Sequence, residues 1–233
     1  LAGPTLQALV AGNAVIAKPS EYTPLSGELL REYLAQLDLP DGLFQVAQGD
    51  GRVGAALVAG GVVKIAFTGS TTTGRKILSA ASQSLTPVVM ELGGKDAAIV
   101  LEDADLERTA AGIVWGAFTC SGQVCASIER AYFAEPIAER LTSLIVQKTR
   151  ALRMGAQLDT VDIGSMNNEK QFAIVERQVN EAIARGAKVL LGGKAGEGLF
   201  FPPTILTDVP ADVELMRAET FGPVLPIQTF KTE

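Results

Sequence analysis

The sequence predicts an α/β protein in which parallel strands are joined by helices. Short apolar runs alternate with amphipathic segments along the chain, which is the pattern of strands connected by crossover helices. The chain has 233 residues and is 47% hydrophobic, so it can bury a core in one large domain or two smaller ones. Its formal charge of -6 argues against a nucleic-acid binder and favours a cytoplasmic enzyme.

The first 92 residues contain three apolar runs that predict strands, at residues 14–18, 62–67 and 87–92. Residues 24–37 open with proline and repeat leucine at helical spacing, so they predict a helix between the first two strands. A second helix is expected from about Thr72, directly after a turn of glycine and threonine. The glycines of "ELGGK" interrupt the strands and mark the best position for a hinge between two domains.

The remaining residues continue the alternation, and one helix has a clear amphipathic pattern. Residues 167–186 predict this helix, which ends at Gly186. Its apolar face is expected to consist of Phe172, Val175, Val179 and Ile183. Residues 103–119 predict a helix capped by Asp103 or Asp105. The other predicted elements are strands at residues 97–101, 130–134 and 187–193 and a helix at residues 136–152.

The longest apolar region and the chain ends set limits on the class of protein. Residues 55–67 contain glycines and Lys64, so this region is too short and too interrupted to span a bilayer, and no signal peptide is recognisable. The chain starts at Leu1 inside a helical pattern and stops in strand-like sequence, which predicts a piece of a longer protein. Two cysteines do not make a disulfide framework, which favours a reducing compartment.

A turn rich in glycine follows the second predicted strand and could bind phosphate. Gly69 permits close backbone approach, the Ser70 hydroxyl can donate, and Gly74 lies in the helix that follows. A helix that starts at the end of a strand points backbone N–H groups and a positive dipole end at an anion. The spacing matches neither the dinucleotide nor the P-loop fingerprint, so an ordinary turn with a Ser or Thr cap is an equal alternative.

Three charged residues lie at or near the ends of predicted strands. Lys18 and Glu21 could bond ribose hydroxyls, although a solvated turn before a helix explains these two residues better when they are taken alone. Glu91 lies among apolar residues, where burial would raise its pKa towards the range of a general base. A glutamate that faces solvent at the end of a strand is the alternative.

Both cysteines lie in "FTCSGQVCASIER", and the chain contains no histidine. Two ligands without histidine make a poor zinc site, and nothing supports a disulfide between Cys120 and Cys125. Gly122 and Gln123 should break the preceding helix and leave Cys125 in a loop whose N–H groups could hold an oxyanion. We therefore interpret Cys125 as a nucleophile with Glu91 as its base, and Cys120 as a buried core residue.

Five motifs together resemble those of the NAD(P)-dependent aldehyde dehydrogenase superfamily. "MELGGK" and "FTCSGQVCASIER" are similar to its glutamate and cysteine signatures, and "KPSEYTP", "FTGSTTTGRK" and "ETFGPV" resemble its cofactor motifs. The motifs occur in family order between Lys18 and Val224 and cover essentially the whole chain. The resemblance implies a partial Rossmann-like cofactor domain at residues 1–92, a C-terminally incomplete α/β catalytic domain at residues 93–233, and an active site in the crevice between them.

The resemblance also implies a mechanism. Cys125 would attack the aldehyde carbon to give a thiohemiacetal, hydride transfer to the nicotinamide would leave a thioester, and Glu91 would activate the water that hydrolyses it. The Cys125 N–H would form half of the oxyanion hole. The cofactor ligands would be Lys18 and Glu21 for the adenosine ribose, Gly69 and Ser70 for the pyrophosphate, Glu219 for the nicotinamide ribose and Phe221 beside the nicotinamide. Glu21 would repel a 2'-phosphate, so NAD is expected and NADP is possible.

The departures from the family pattern suggest that the 233 residues alone are inactive. The asparagine that completes the oxyanion hole in the family lies in a segment absent here, and loss of one oxyanion donor slows such reactions by about two to three orders of magnitude. The resemblance implies a homodimer or homotetramer for the longer protein. An acylating relative that uses coenzyme A, or a binding protein that kept only the fold, are alternatives against which Glu91 and Cys125 argue.

Overall fold

The computed structural model describes residues 1–157 and 159–232. Helices and strands alternate along the chain, so the predicted α/β class is confirmed. The chain divides into two compact units, Leu1–Leu92 and Gly93–Glu233, with the division inside "ELGGK". Among the described helices, none is both long enough and apolar enough to cross a membrane.

The first unit contains two separate pairs of parallel strands, each connected by a helix. The second pair aligns Thr68 with Glu91 and Gly69 with Leu92, so the carboxyl ends of its strands meet at one edge. The strand Phe44–Val46 and the helix Gly51–Ala59 were not predicted from the sequence. The elements are α1 Ala2–Val10, β1 Val15–Ala17, α2 Leu25–Leu34, β2 Phe44–Val46, α3 Gly51–Ala59, β3 Ile65–Gly69, α4 Thr71–Ala81 and β4 Val88–Leu92.

The second unit is built on a five-stranded sheet in which, among the described strands, the pair Lys188–Leu191 and Thr204–Thr207 is antiparallel and the other pairs are parallel. A 3-10 segment, Thr119–Gly122, directly follows the helix Leu106–Phe118. The elements are β5 Ala97–Val100, α5 Leu106–Phe118, β6 Arg130–Ala134, α6 Glu135–Arg150, α7 Glu169–Ala184, β7 Lys188–Leu191, β8 Thr204–Thr207, α8 Glu214–Arg217 and β9 Val224–Phe230. The strand order is β5-β6-β9-β8-β7.

Two apolar clusters bury the faces of this sheet. One lies under α5 and α6 and includes Phe118, Phe133 and Leu141, and the other lies under α7. Asp105 caps α5, because its side chain accepts a hydrogen bond from the Arg108 N–H, which decides between the two predicted caps. This packing fixes the C-terminal end of α5, from which the cysteine-containing segment continues.

The apolar face predicted for α7 is partly wrong. Val175 and Val179 are buried, but Ile183 is 36% exposed and Gln178 is fully buried. The buried residues Val175, Gln178, Val179 and Ala182 follow the spacing i, i+3, i+4 and i+7, which is one stripe of a helix. Ile183 lies just outside this stripe. A glutamine therefore occupies a core position, and its partners are described below.

Candidate active site

In the first unit, Lys18 and Glu21 lie together at the carboxyl end of β1. The Lys18 Nζ donates to the carbonyl oxygens of Pro19 and Gly49, each at 2.6 Å, and lies 4.0 Å from a carboxylate oxygen of Glu21. Since an ammonium has three donors, these contacts fix its direction and leave Glu21 half exposed beside it. The structure thus brings together the two residues predicted to bind ribose.

The turn between β3 and α4 has the strand–turn–helix arrangement that the sequence predicts. Ser70 is the N-cap of α4, and its Oγ accepts a hydrogen bond from the Thr73 N–H at 3.3 Å and lies 3.1 Å from the Thr73 Oγ1. A Cβ at Gly69 would lie 2.6 Å from the far end of the Phe67 ring, so any other residue would require this ring to move. A Cβ on Gly74 would lie 2.9 Å from Leu92, which shows that α4 packs closely on β4. The N-terminus of α4 therefore opens at the edge of the sheet.

Glu91 lies at the same edge, but the expectation that it is buried is wrong. Alternate residues of β4 are half-buried and exposed, and Glu91 is on the exposed side with Val89. The apolar run resembles a buried strand, yet only Val88, Met90 and Leu92 face inward because a strand presents successive side chains to opposite faces. Glu91 is paired with Thr68 on the neighbouring strand, and Thr68 is the residue directly before Gly69. Glu91 therefore lies beside the start of the turn.

In the second unit, Cys125 lies in an exposed turn between the 3-10 segment and β6. We call residues 124–127 the cysteine turn. The thiol is free and exposed, and no hydrogen bond from the Cys125 N–H to another described residue is present. The Ser127 side chain fastens the turn to the end of α5 by donating to the Gly116 carbonyl at 2.9 Å. The turn thus presents a thiol and a backbone donor from the same residue.

Three consecutive residues before the cysteine turn have a left-handed backbone. Their φ values are 53° for Cys120, 58° for Ser121 and 68° for Gly122. For the two residues that are not glycine, this conformation costs on the order of 1 kcal/mol each and is typical of functional sites. Cys120 is exposed, so its assignment to the core is wrong: the left-handed backbone turns it away from the buried face of α5.

Side-chain and backbone contacts hold this strained segment. The Ser121 hydroxyl donates to the Gly164 carbonyl at 2.9 Å, and the Gln123 side chain accepts from the Asn167 N–H at 3.0 Å. A Cβ on Gly122 would lie 2.2 Å from the Gly222 carbonyl oxygen. Gly122 therefore permits the segment before Cys125 to contact residues 219–222, which we call the 219–222 loop.

The 219–222 loop is held by a buried ion pair that the sequence did not reveal. The Lys95 Nζ lies 2.8 Å from a Glu129 carboxylate oxygen, and the side chains are only 7% and 5% exposed. The two oxygens of Glu129 accept hydrogen bonds from the Thr220 and Phe221 N–H groups, each at 2.8 Å, and Lys95 also donates to the Thr220 hydroxyl at 2.7 Å. Burial lowers the pKa of Lys95, while the Glu129 carboxylate opposes that shift.

Two glutamines of α7 hold the carbonyl side of the same loop. The Gln171 side chain donates to the Thr220 carbonyl at 2.7 Å, and the Gln178 side chain donates to the Glu219 carbonyl at 3.2 Å. They are seven residues apart, which places them on one face of the helix. This contact explains the core position of Gln178.

The Glu219 side chain occupies a space that exists because residue 93 is glycine. A Cβ on Gly93 would lie 1.8 Å from a carboxylate oxygen of Glu219. Burial and the nearby Glu129 carboxylate raise the pKa of Glu219, while a hydrogen bond from the Gly94 backbone and the charge of Lys95 act in the opposite direction. Phe221 is half-buried with a left-handed φ of 48°.

The residues fit a dinucleotide better than a metal ion. Glu219 provides a carboxylate for ribose hydroxyls, and Ser70 lies at an open helix N-terminus suited to phosphate. Within residues 1–157 and 159–232, no three His, Cys, Asp or Glu side chains are grouped as metal ligands. The Ser70 turn of the first unit therefore has the chemistry of a phosphate ligand, and the Glu219 carboxylate of the second unit has that of a ribose ligand.

Comparison with known proteins gives one consistent answer. The model of the aldehyde dehydrogenase family matches residues 1–233. Over 230 residues the chain is 42% identical to a 4,4'-diapolycopene aldehyde oxidase of a Methylomonas species, a match that covers 99% of this chain and 43% of that protein.

Solved structures agree with the sequence match. An Escherichia coli NADP-dependent enzyme superposes with a TM-score of 0.95 at 38% identity, covering 98% of this chain and 49% of that one. An NAD-dependent aldehyde dehydrogenase from Sinorhizobium meliloti gives a TM-score of 0.90 at 36% identity, covering 94% and 45%. The chain spans about half the length of the proteins it matches.

Proposed function

The chain belongs to the aldehyde dehydrogenase family, and we propose that the full-length protein oxidises an aldehyde to a carboxylic acid with NAD or NADP, using Cys125 as the nucleophile. One observation carries the assignment of Cys125. It is an exposed free thiol in a turn that follows three left-handed residues, and its own N–H makes no hydrogen bond to another described residue. Stored strain beside an exposed nucleophile is typical of a reactive site.

The first chemical step is addition of the Cys125 sulfur to the aldehyde carbon. The thiol first loses its proton to water; the thiolate sulfur then forms the sulfur–carbon bond, the carbonyl π bond opens, and the negative charge moves from sulfur to the former aldehyde oxygen. The Cys125 N–H belongs to the same residue as the attacking sulfur, so it is close to this oxygen and serves as one oxyanion donor. When bound, the nicotinamide supplies the hydride acceptor that makes oxidation of this adduct to a thioester possible.

The second step is hydrolysis of the Cys125 thioester, for which we assign Glu91 as the base. The carboxylate takes a proton from water, the hydroxide adds to the thioester carbon, and the carbon–sulfur bond breaks to release the acid and the thiolate. The exposure of Glu91 supports this role, because a base that activates water must be reached by water. The chain has no histidine that could replace it.

The cofactor is assigned to residues of the first unit and to residues of the 219–222 loop. Glu219 accepts from the nicotinamide ribose, with Phe221 beside the ring, and Ser70 and Gly69 contact the pyrophosphate. Lys18 and Glu21 bind the adenosine ribose. Since the Glu21 carboxylate repels a 2'-phosphate, we propose NAD as the preferred cofactor, while the neighbouring Lys18 ammonium leaves NADP usable.

Location and assembly complete the proposal. Both cysteines of the chain are free thiols, which fits a reducing compartment, so we propose a cytoplasmic enzyme. We also propose that the full-length protein forms a homodimer or homotetramer, which light scattering of the purified protein would measure.

Paired cysteine variants test the function. In the full-length protein, Cys125→Ala should abolish reduction of NAD by a panel of small aldehydes, while the dissociation constant for NAD changes little. Cys120→Ala is the matched control, because it removes an exposed thiol five positions earlier, and it should keep the wild-type rate. Full activity in Cys125→Ala, or loss of activity only in Cys120→Ala, would refute the assignment.

A further inference from the structure

The Lys95–Glu129 pair joins three neighbouring strands of the second unit at one end. Lys95 precedes β5, Glu129 precedes β6, and the 219–222 loop precedes β9, and these strands are adjacent in the sheet. Glu129 also donates its backbone N–H to the Asp96 carbonyl at 3.1 Å, which fixes it against the Lys95 segment. Both the backbone and the carboxylate of Glu129 are therefore bonded to the segment of Lys95 and Asp96.

The chemistry of the contact is specific for a carboxylate. The two oxygens of Glu129 accept from two successive backbone N–H groups, one each, and Lys95 shares the oxygen that binds Thr220. A buried carboxylate is unfavourable unless it is paired and fully hydrogen-bonded. An apolar side chain of similar size would fill the space but would leave both N–H groups without an acceptor.

The bonded N–H groups belong to the residues that follow Glu219 directly. Thr220 is fully buried, and Phe221 has a left-handed backbone that an unrestrained chain would leave. Fixing these two peptide units sets the direction of the chain at residue 219, and the Glu219 carboxylate then lies in the space above Gly93. The direction of this carboxylate thus depends on Glu129, which does not touch it through a hydrogen bond.

We propose that Glu129 is a positioning residue: with Lys95, it holds the 219–222 loop so that the Glu219 carboxylate is directed at the nicotinamide-side ribose of NAD or NADP. The inference rests on the proposed function, because it takes the Glu219 carboxylate to be a cofactor ligand. Glu129 itself contacts neither cofactor nor substrate. Its role is to restrict the loop before the dinucleotide binds, which lowers the entropy lost on binding.

The test is the substitution Glu129→Gln in the full-length protein. The glutamine amide keeps the shape of the glutamate side chain but replaces one acceptor oxygen by an NH₂ donor. This donor would face another donor, either a backbone N–H of the loop or the Lys95 ammonium, so a hydrogen bond is lost. Loss of one charge-assisted hydrogen bond weakens binding by about tenfold, so the KM and Kd for NAD should rise by about that factor while the KM for the aldehyde stays unchanged. Calorimetric titration with NAD alone measures the Kd without catalysis.

The matched control is Asp208→Asn, which makes the same carboxylate-to-amide change in a lysine pair of the same length. Lys188 and Asp208 are also 2.8 Å apart, but their side chains are 74% and 59% exposed, and they lie away from the loop. This variant should leave the kinetic constants for NAD unchanged. A fall in kcat and thermal stability with unchanged KM and Kd for NAD in Glu129→Gln would show a merely structural role and overturn the proposal.

A milder pair of variants keeps the test decisive if Glu129→Gln does not fold. Thr220→Val removes the hydroxyl that accepts from Lys95 without changing the charge or the shape of the side chain, and Thr220→Ser restores the hydroxyl. Thr220→Val should raise the Kd for NAD severalfold and Thr220→Ser should return it towards the wild-type value. Equal Kd values for the two would overturn the proposal. A wild-type protein that binds NAD but oxidises no aldehyde would instead contradict the proposed function alone.

Discussion

Two segments assigned to the dinucleotide, the turn at Gly69 and Ser70 and the 219–222 loop, are held in place by different means. The turn is organised by neighbours, since the Ser70 side chain caps the helix through Thr73, three residues later. The partners of the loop are 41 to 125 residues away along the chain. The turn is exposed, whereas the loop depends on a buried ion pair.

The difference shows that the second unit uses buried polar groups to hold the 219–222 loop. In the turn, a helix terminus offers backbone donors to phosphate and needs one hydroxyl for its cap. In the loop, the Glu219 carboxylate must be directed at hydroxyl groups. The Glu129 carboxylate accepts hydrogen bonds from the two N–H groups that follow residue 219, which holds the Glu219 carboxylate in this direction. Changes in the loop should therefore be more costly than changes in the turn.

The largest effect should follow Lys95→Met. Removal of one partner from a buried ion pair costs about 3–5 kcal/mol because the remaining charge is left unpaired, so the free energy of unfolding should fall by about that amount. The comparison variant Lys188→Met breaks an exposed pair of equal length and should cost no more than about 1 kcal/mol. Urea denaturation measures both values, and equal losses would contradict the contrast.

The second effect concerns binding rather than stability. Gly93→Ala should displace the Glu219 carboxylate, because the new Cβ overlaps its oxygens and the flexible side chain is the part that can move. The Kd for NAD should rise by about tenfold, which corresponds to about 1.4 kcal/mol. The control is Gly112→Ala in α5, where a Cβ contacts nothing within 4 Å, so this change should leave the Kd unchanged. Equal Kd values for NAD in the two variants would contradict the assignment of Glu219 as a cofactor ligand.

A smaller effect is expected in the turn. Ser70→Ala removes the side-chain cap of α4 and should lower the free energy of unfolding by about 1 kcal/mol. Ser70→Thr keeps a hydroxyl and should recover most of the loss. If Ser70→Ala lowers the free energy of unfolding as much as Lys95→Met does in thermal denaturation, the turn is not held mainly by its sequence neighbours.

The smallest effect is the contribution of Glu219 to the pH dependence of NAD affinity and of stability. Its pKa is raised by burial and by Glu129. Because the ionised form accepts hydroxyl groups, affinity for NAD should fall as the pH drops through this raised pKa, at a pH above the usual range of glutamate. The stability of the cofactor-free protein has the opposite sign: the protonated form favours folding, so stability is lost as the pH rises through the same pKa. Glu219→Gln should remove the Glu219 contribution from both profiles, measured by calorimetry and thermal denaturation.

The contrast also explains what could be predicted from sequence. The turn is contiguous, so its strand, glycine, serine and helix start are visible in ten letters, and α4 begins at Thr71, one residue from the expected position. Glu129 stands in the quoted cysteine motif, but its partners lie at positions 95, 220 and 221. No local periodicity connects these positions, so the pair became visible only in the folded chain.

Three expectations failed because local patterns do not define a buried face. Glu91 and Cys120 were placed by the apolar character of their neighbours, yet β4 exposes every second residue, and the left-handed backbone after α5 turns Cys120 outward. Ile183 was assigned to the apolar face of α7, but the buried stripe includes Gln178 instead. Among the described residues, the Gln178 amide nitrogen donates to the Glu219 carbonyl, whereas its amide oxygen has no hydrogen-bond partner, and neither fact was visible in the periodicity of the sequence.

The most direct test of the central assignment is to trap the acyl group on the protein. Full-length Glu91→Gln is incubated with an aldehyde and NAD and then quenched in acid, so that a thioester which cannot be hydrolysed accumulates. Fragment-ion mass spectrometry of the peptide that contains both cysteines then locates the added acyl mass. We expect the acyl group on Cys125. An acyl group on Cys120, or no acyl adduct under conditions in which the wild-type protein turns over, would contradict it.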